Sequence, residues 1–353
     1  MIRVGPPALD GQRSVQFTFG TGDFPMGSSR FLLQAHVDAV YEAAPRRLAF
    51  EARTETEFGA WQGALRAKTL ELLGLAERTP PAAVAAEKLQ AVERDGYVEE
   101  KYLLDAGEGV SIPAYLLVPN TEPPYRPVLV FHGHNPSVQW ILGNYPNAAE
   151  RESRLKVDNN YAQALAQAGY LVCAVEQRGF GERQTEDGRG SVHENSCRHL
   201  AFAYQMAGRN LVGERCWDGM CAIAFLQSRP DVVPGVLGCT GNSGGGTIAL
   251  WLSAVDERIT VAVPGCYLCS FRASIYDLYH CECNYVPGIL EWAEMGDLAA
   301  LIAPRPLRAI AGEQDDIFPI AAVREEFAAA ARAYELLGVG ERCSLGVHPG
   351  PHG

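Results

Sequence analysis

The sequence of 353 residues lacks any apolar stretch close to the roughly 20 residues that cross a bilayer. Its first residues, Met1-Ile-Arg-Val-Gly-Pro-Pro, do not contain the apolar core of a secretory signal. No cluster of lysines and arginines stands out, and the net charge is −12. The chain therefore has no positively charged surface predicted to bind the phosphates of a nucleic acid. The sequence therefore predicts a cytoplasmic protein with no membrane segment and no nucleic-acid partner, and it leaves a homo-oligomer possible.

Internal repeats and phosphate-binding glycine patterns are also missing. The sequence has neither the G-x-x-x-x-G-K-[ST] lysine motif nor a G-x-G-x-x-G run followed by an acidic residue after the next strand. Ten cysteines are present, but Cys173 and Cys239 lie in apolar runs where a reduced thiol behaves as a small hydrophobic group. A chain of this length needs no disulfide framework.

Two regions differ in their patterning. Between residues 56 and 75 the apolar positions recur at near-helical spacing, and Pro80 and Pro81 follow, which predicts an N-terminal helical extension and linker over residues 1–88. Residues 89–353 form the expected catalytic domain. It opens with strand-like runs at 90–104 and 112–118 around a glycine turn, which together predict an antiparallel hairpin.

Short strand-like and helix-like segments then alternate to the end of the chain. This alternation predicts an α/β fold with a mostly parallel central sheet and helices on both faces. Functional residues are expected in loops beyond the carboxyl ends of the strands. The segments are residues 128–131, 161–168, 170–175, 217–227, 236–240, 245–254, 259–263, 307–311, 320–337 and 344–347.

The strongest local motif is Gly241-Asn-Ser243-Gly-Gly245, which joins a predicted strand to a predicted helix. It fits G-x-S-x-G, in which glycines allow a tight turn because a Cβ would strike the neighbouring strand and helix. The turn places Ser243 at a helix N-terminus, where the dipole and free N–H groups favour a developing oxyanion. Ser243 is therefore the candidate nucleophile.

Partners of this serine are expected downstream, in the order acid and then histidine. His352, in a loop of glycines and prolines, is the candidate general base, and His348 is the second choice. Adjacent Asp315 and Asp316 follow the strand-like run 307–311, and composition does not choose which of them orients the imidazole.

Two backbone N–H groups are the candidate oxyanion hole. One belongs to Gly244, the residue after the nucleophile, and the other to His134, in the loop after the strand-like run 128–131. The side chains of His132 and His134 are expected to shape this loop rather than to transfer protons.

In this order, the motifs resemble the acetylxylan-esterase-like and dienelactone-hydrolase-like branch of the α/β-hydrolase superfamily. The resemblance spans nearly the whole chain. The matching runs are His132-Gly-His134, Glu176-Gln-Arg178-Gly-Phe-Gly181-Glu, Trp217-Asp218 through Ser228-Arg-Pro-Asp231, Gly241-Asn-Ser243-Gly-Gly, Ala303-Pro-Arg-Pro306 and Gly312-Glu-Gln-Asp315.

The resemblance implies the catalytic roles of two residues. The catalytic acid of this branch is usually the Asp of a Gly-Glu-x-Asp run four residues before a proline, which implies Asp315 rather than Asp316. A late Gly-x-His turn implies His352. Two departures are Glu176, where Asp is common, and the end of the chain at Gly353, where family members continue with a closing helix.

A rival interpretation concerns four cysteines. Cys266-x-x-Cys269 has the spacing of structural zinc pairs, and Cys281-x-Cys283 is a tighter pair nearby. Because this segment follows a predicted strand where hydrolases place loops over the active site, no metal ligand and no cofactor is predicted.

The residues together predict a serine carboxylesterase that hydrolyses short-chain, acetyl-type esters of small molecules through an acyl-enzyme intermediate. A peptidase or a lactonase of the same fold and a non-catalytic binding module are the alternatives. Fold-level similarity does not decide the substrate.

Overall fold

The computed structural model describes residues 33–186 and 195–353. Contacts between α-carbons divide the chain into two compact units, Met1–Ala44 and Pro45–Gly353. The described part of the smaller unit contains helix α1, Gln34–Glu42. All the other elements belong to the larger unit.

Helix α2, Glu55–Leu72, is the helix expected in the N-terminal extension. The side chain of Thr54 accepts the N–H of Glu57 at 3.2 Å and caps its first turn. Phe58 and Leu65 belong to the same hydrophobic core as the central sheet. The expected boundary between residues 88 and 89 therefore differs from the observed division, because burial of its apolar face makes α2 part of the larger unit.

The described residues contain one nine-stranded sheet with the order β1-β2-β3-β5-β4-β6-β7-β8-β9. Strands β1, β2, β3 and β5 pair antiparallel in turn, and β4 to β9 run parallel to one another. Their bounds are β1 Ala86–Arg94, β2 Tyr97–Asp105, β3 Ser111–Pro119, β4 Pro127–Phe131, β5 Leu171–Val175, β6 Gly238–Asn242, β7 Val261–Gly265, β8 Leu307–Gly312 and β9 Cys343–His348.

The first strands of the sheet differ from one prediction. Residues 90–104 do not form a single strand, because the chain turns between β1 and β2 at Gly96, whose φ is +89°. Glycine adopts this conformation without the steric cost that a side chain would add. The expected hairpin is instead a three-stranded antiparallel meander.

The described residues contain seven further α-helices. They are α3 Ala148–Leu155, α4 Tyr161–Gln167, α5 Cys197–Met206, α6 Leu211–Gln227, α7 Gly244–Val255, α8 Met295–Ala300 and α9 Ile320–Leu336.

Alternating side chains of β4 enter two different cores. Val128 and Val130 pack in a cluster with residues of α4, whereas Leu129 and Phe131 pack in a larger cluster with residues of α6 and α7. A strand buried on both sides is typical of a parallel sheet covered by helices. The predicted α/β-hydrolase architecture is confirmed. In the described parts of the chain, no helix has the length and apolar character to span a membrane.

Candidate active site

Ser243 lies in the sharp turn between β6 and α7. Its φ of +56° and ψ of −121° fall in a region that residues with a side chain rarely adopt. The Ser243 N–H donates to the carbonyl of Gly265 at 2.9 Å, and the Ser243 carbonyl accepts the N–H of Thr247 at 2.9 Å. This strained strand-to-helix turn has the geometry of a nucleophile elbow.

The close approach of β4 explains the glycines around Ser243. A Cβ on Gly241 would lie 2.6 Å from the carbonyl oxygen of Phe131, and a Cβ on Gly245 would overlap that same oxygen. Neither substitution leaves room for the backbone of β4. The steric requirement inferred from the motif is therefore present in the fold.

A continuous chain of hydrogen bonds joins Ser243, His352 and Asp315. The hydroxyl of Ser243 lies 2.8 Å from Nε2 of His352, and Nδ1 of His352 lies 2.8 Å from Oδ2 of Asp315. Since the carboxylate accepts at Nδ1, Nε2 is left as the acceptor of the serine proton. The ring of Phe318 stacks on the imidazole with centroids 5.5 Å apart.

Asp315 is buried and held as a carboxylate. Its Oδ1 accepts the backbone N–H groups of Ile317 and Phe318, each at 2.9 Å. Burial raises the pKa of Asp315, but the hydrogen bonds from His352 and from the Phe318 N–H outweigh this effect and lower it below the ordinary value. Asp315 is thus ionised at neutral pH, which suits a group that orients and stabilises an imidazolium.

The alternative partners lie elsewhere. Asp316 is exposed to solvent. Nδ1 of His348 accepts the N–H of Gly350 at 3.2 Å, so its ring is turned into its own loop. His280 is buried, with Nε2 3.0 Å from the hydroxyl of Ser274.

The candidate oxyanion donors lie on either side of the nucleophile. Gly244 is the first residue of α7, where an N–H has no acceptor within the helix. The loop carrying His134 packs against the elbow so closely that a Cβ on Gly133 would lie 3.2 Å from the Cβ of Ser243. In the described residues, neither the Gly244 N–H nor the His134 N–H donates a hydrogen bond to protein.

The side chain of His132 braces this loop. It is fully buried, with Nε2 3.0 Å from Oε1 of Glu176, which also accepts the N–H of Val138 at 3.1 Å. Glu176, the departure from the family pattern, therefore has a positioning role between two loops at the carboxyl edge of the sheet.

A buried ion-pair network below these loops was not predicted from the sequence. The guanidinium of Arg178 binds both oxygens of Asp218, at 2.8 and 3.0 Å, and lies 2.6 Å from Glu214. Arg183 contacts the same Asp218 at 2.5 Å. The network ties the loop after β5 to α6. The motifs contained Arg178 and Asp218 but not Arg183 or Glu214, and their spacing did not show that these residues pair.

The cysteines do not form the spatial groups that their spacing in the sequence suggested. Cys281 and Cys283 lie together with Cys197 and the imidazole of His134, with potential ligand atoms all within 4.8 Å of one another. Hydrogen bonds with the Cys197 and Cys281 thiols hold the pKa of the Cys283 thiol well below its ordinary value. The Cys266 thiol instead lies beside the Asp315 carboxylate and the His352 imidazole.

Comparison with known proteins identifies the family. The profile of the acetyl xylan esterase family matches residues 102–286. This chain belongs to the acetyl xylan esterase family. The match includes Ser243 and both candidate oxyanion donors and ends before Asp315 and His352, whose hydrogen-bonded chain to the serine is seen in the structure.

One relative of this acetyl xylan esterase family member is named as a hydrolase. A candidate hydrolase of Bacillus subtilis, YtaP, is 30% identical over 263 residues, which cover 72% of this chain and 81% of YtaP.

Solved structures share the fold. A candidate acetyl xylan esterase from Bacteroides fragilis is 19% identical with a TM-score of 0.75, covering 90% of this chain and 82% of that one. A glucuronoyl esterase from Teredinibacter turnerae is 16% identical with a TM-score of 0.63, covering 89% and 86%.

Family and fold together establish the class of reaction. As a member of the acetyl xylan esterase family with the α/β-hydrolase fold, the protein is an ester hydrolase.

Proposed function

We propose that the protein is a serine carboxylesterase that hydrolyses short-chain, acetyl-type esters, with Ser243 as nucleophile, His352 as general base and Asp315 as the orienting acid. The observation that carries this proposal is the unbroken hydrogen-bonded chain from the Ser243 hydroxyl through His352 to Asp315. No cofactor is needed for this chemistry, because the three side chains supply the nucleophile and the proton acceptor.

Acylation begins when Oγ of Ser243 attacks the ester carbonyl carbon. The hydroxyl proton moves to Nε2 of His352, 2.8 Å away, as the new C–O bond forms. The Asp315 carboxylate on Nδ1 stabilises the imidazolium that results. His352 then gives the proton to the departing alcohol oxygen when the tetrahedral intermediate collapses.

The N–H groups of Gly244 and His134 bind the oxyanion of that intermediate. Both flank Ser243, and both are free of protein acceptors within the described residues. Fixed donors at the position where charge develops need no reorganisation during the reaction. Water, deprotonated by His352, next attacks the acyl-enzyme by the reverse path, which releases the acid and restores Ser243.

Support for a short acyl group comes from the family rather than from the catalytic residues. The family is named for esterases of acetylated xylan, and a fold neighbour is named as an acetyl xylan esterase. We therefore propose a small acetylated molecule, a sugar ester among the possibilities, as the substrate class.

Ser243→Ala tests the nucleophile. Because the variant has no hydroxyl to attack the ester carbonyl, kcat/KM for p-nitrophenyl acetate is expected to fall by about 10⁴-fold or more. Ser228→Ala, at an exposed site at the end of α6, is the matched control and should retain full activity. Near-normal hydrolysis by a folded Ser243→Ala protein would refute the assignment.

An ester panel tests the substrate class. Acetyl, butyryl and octanoyl p-nitrophenyl esters, acetylated xylan and a methyl ester of glucuronic acid are compared by kcat/KM. The acetyl ester should be hydrolysed best, and the rate should fall with acyl length. Preference for octanoate or for the glucuronate methyl ester would overturn the short-acyl proposal while leaving the nucleophile intact.

A further inference from the structure

Four potential metal ligands converge beside the active site. The thiols of Cys197, Cys281 and Cys283 and the imidazole of His134 place their ligand atoms within 4.8 Å of one another. Nε2 of His134 and Sγ of Cys283 are 3.3 Å apart. Tetrahedral zinc with Zn–S bonds of about 2.3 Å and Zn–N bonds of about 2.0 Å requires ligand separations of roughly 3.5–3.8 Å. The observed separations, 3.3 Å for this pair and no more than 4.8 Å for the others, lie within about 1 Å of that geometry.

The ligands come from three separate parts of the chain. His134 lies in the loop after β4, Cys197 begins α5, and Cys281 and Cys283 lie in the loop after β7. The cysteines are free thiols rather than disulfides, and Cys197 and Cys283 are almost fully buried. The cluster is therefore assembled by the fold and not by spacing along the chain.

Hydrogen bonds and ring packing restrain the residues of the cluster. The N–H of Cys197 donates to Oδ1 of Asn195 at 3.0 Å. Asn284, next to Cys283, accepts the hydroxyl of Thr247 at 2.9 Å and is thereby fixed to the first turns of α7. The ring of Phe180 packs edge-on against His134, with centroids 5.4 Å apart.

A buried positive charge gives a second, independent indication. Arg215 is only 2% exposed, and Nη2 lies 3.2 Å from Sγ of Cys197. Its guanidinium also donates to the carbonyl of Arg178, at 2.7 and 3.2 Å. Across residues 33–186 and 195–353, no carboxylate lies within ion-pair distance of this guanidinium. A buried cation of this kind needs a negative partner.

The charges balance when a metal is present. Three thiolates and a neutral imidazole around Zn²⁺ carry a net charge of −1, which the guanidinium of Arg215 neutralises. Without a metal, one thiolate among the three cysteines already balances Arg215. A zinc ion allows all three cysteines to ionise while the net charge of the site stays at −1.

We propose that His134, Cys197, Cys281 and Cys283 form a tetrahedral Cys₃His site for a structural zinc ion. Thiolates favour zinc over the hard cations calcium and magnesium, and four protein ligands close the coordination sphere to water. The metal links the loops after β4 and β7 to the start of α5. It also fixes His134, whose backbone N–H is the proposed oxyanion donor.

Metal content of the full-length protein tests the site without relying on activity. Protein purified in reducing buffer, without a metal-affinity step, is loaded with zinc, desalted and measured by inductively coupled plasma mass spectrometry. About one tightly held zinc per chain is expected for the wild type. Cys283→Ser and Cys281→Ser should each lose most of it.

Two cysteine variants serve as controls. Cys343→Ser changes a partly exposed thiol outside the cluster and should retain the zinc. Cys266→Ser removes the thiol beside Asp315 and His352, the other described group that could bind a metal, and should also retain it. Loss of zinc in Cys266→Ser together with retention in a folded Cys283→Ser would place the metal at the hydrogen-bonded chain of Ser243 and overturn the proposal.

Cobalt substitution of the wild type gives a result that does not depend on the folding of a variant. Co²⁺ should produce thiolate-to-cobalt charge-transfer bands and the intense visible bands of a tetrahedral site. A wild type that binds neither zinc nor cobalt under reducing conditions would overturn the proposal, as would a native disulfide between two of the three cysteines.

Discussion

One of two adjacent carboxylates contacts the imidazole of His352. Asp315 is buried, accepts the N–H groups of Ile317 and Phe318 and contacts Nδ1 at 2.8 Å, whereas Asp316 is exposed. Extended backbone turns neighbouring side chains in different directions, so only one of the two carboxylates can contact the imidazole. Composition did not show which one, and only the family pattern favoured Asp315. The deciding property is the fold of the loop after β8.

Asp315→Asn is expected to lower kcat for p-nitrophenyl acetate by about 10⁴-fold, because an amide no longer holds the tautomer that accepts the serine proton. Asp316→Asn, the matched neighbour, should change kcat by less than about twofold, as expected for an exposed side chain without a role. Steady-state kinetics of the two variants measure the difference. Equal effects would show that Asp315 does not orient the histidine.

Among the elements, the turn between β6 and α7 depends on the backbone of β4. A Cβ on Gly245 would overlap the carbonyl of Phe131. Gly245→Ala should therefore destabilise the fold by at least about 2 kcal/mol, since backbone on both sides must move. Gly63, inside α2 with open space where a Cβ would lie, is the matched control. Gly63→Ala should stabilise by up to about 1 kcal/mol through helix propensity. Urea unfolding of both variants measures these opposite changes in unfolding free energy.

Helices α8 and α9 meet at a buried carboxyl group that responds to pH. Burial, and then the charge of Glu294, raise the pKa of Glu326 to about 7, and its Oε2 accepts the N–H of Gly296 at 2.9 Å. Between the ordinary carboxyl pKa of about 4.3 and this value, the folded chain holds a proton that the unfolded chain has lost. Stability therefore falls as pH rises through this window and levels off above it.

Glu326→Gln should remove this fall in stability with rising pH, because the amide cannot ionise and its oxygen can still accept the N–H of Gly296. At pH 8 the variant should exceed the wild type in unfolding free energy by on the order of 2 kcal/mol, with the difference shrinking to near zero at about pH 4. Glu325→Gln, on the exposed side of the same helix, should show no such pH dependence. Urea unfolding at both pH values measures this, and a parallel pH profile for Glu326→Gln and wild type would contradict it.

Over the whole molecule, the larger unit includes the helix that the sequence placed in a separate extension. Gln62 of α2 donates to the carbonyls of Leu301 and Ala303 at 2.9 and 2.7 Å, and Phe58 and Leu65 are buried in the main core. A chain that begins at Pro45 is expected to fold and retain esterase activity, whereas one that begins at residue 89 should be insoluble or unfolded. Circular dichroism and p-nitrophenyl acetate hydrolysis of the two truncations decide between the divisions.

Local patterns were sufficient for the fold class and for the elbow. Apolar periodicity predicted the parallel strands, and the glycines of the elbow follow from steric contacts that the motif encodes. The sequence did not predict the turn at Gly96, because this single turn residue lies within a long run of β-favouring residues. The grouping of His134 with Cys197 and Cys283 depends on loops that only the folded chain brings together, so no spacing in the sequence could show it.

The claim that Ser243 is the nucleophile is tested most directly by mass spectrometry of the wild type after reaction with a fluorophosphonate probe. A single adduct is expected on the peptide that contains Ser243, with loss of hydrolysis in proportion to labelling. Labelling should slow sharply in His352→Ala, which lacks the proton acceptor 2.8 Å from the hydroxyl. An adduct on another residue, or full inactivation with Ser243 unmodified, would contradict the assignment.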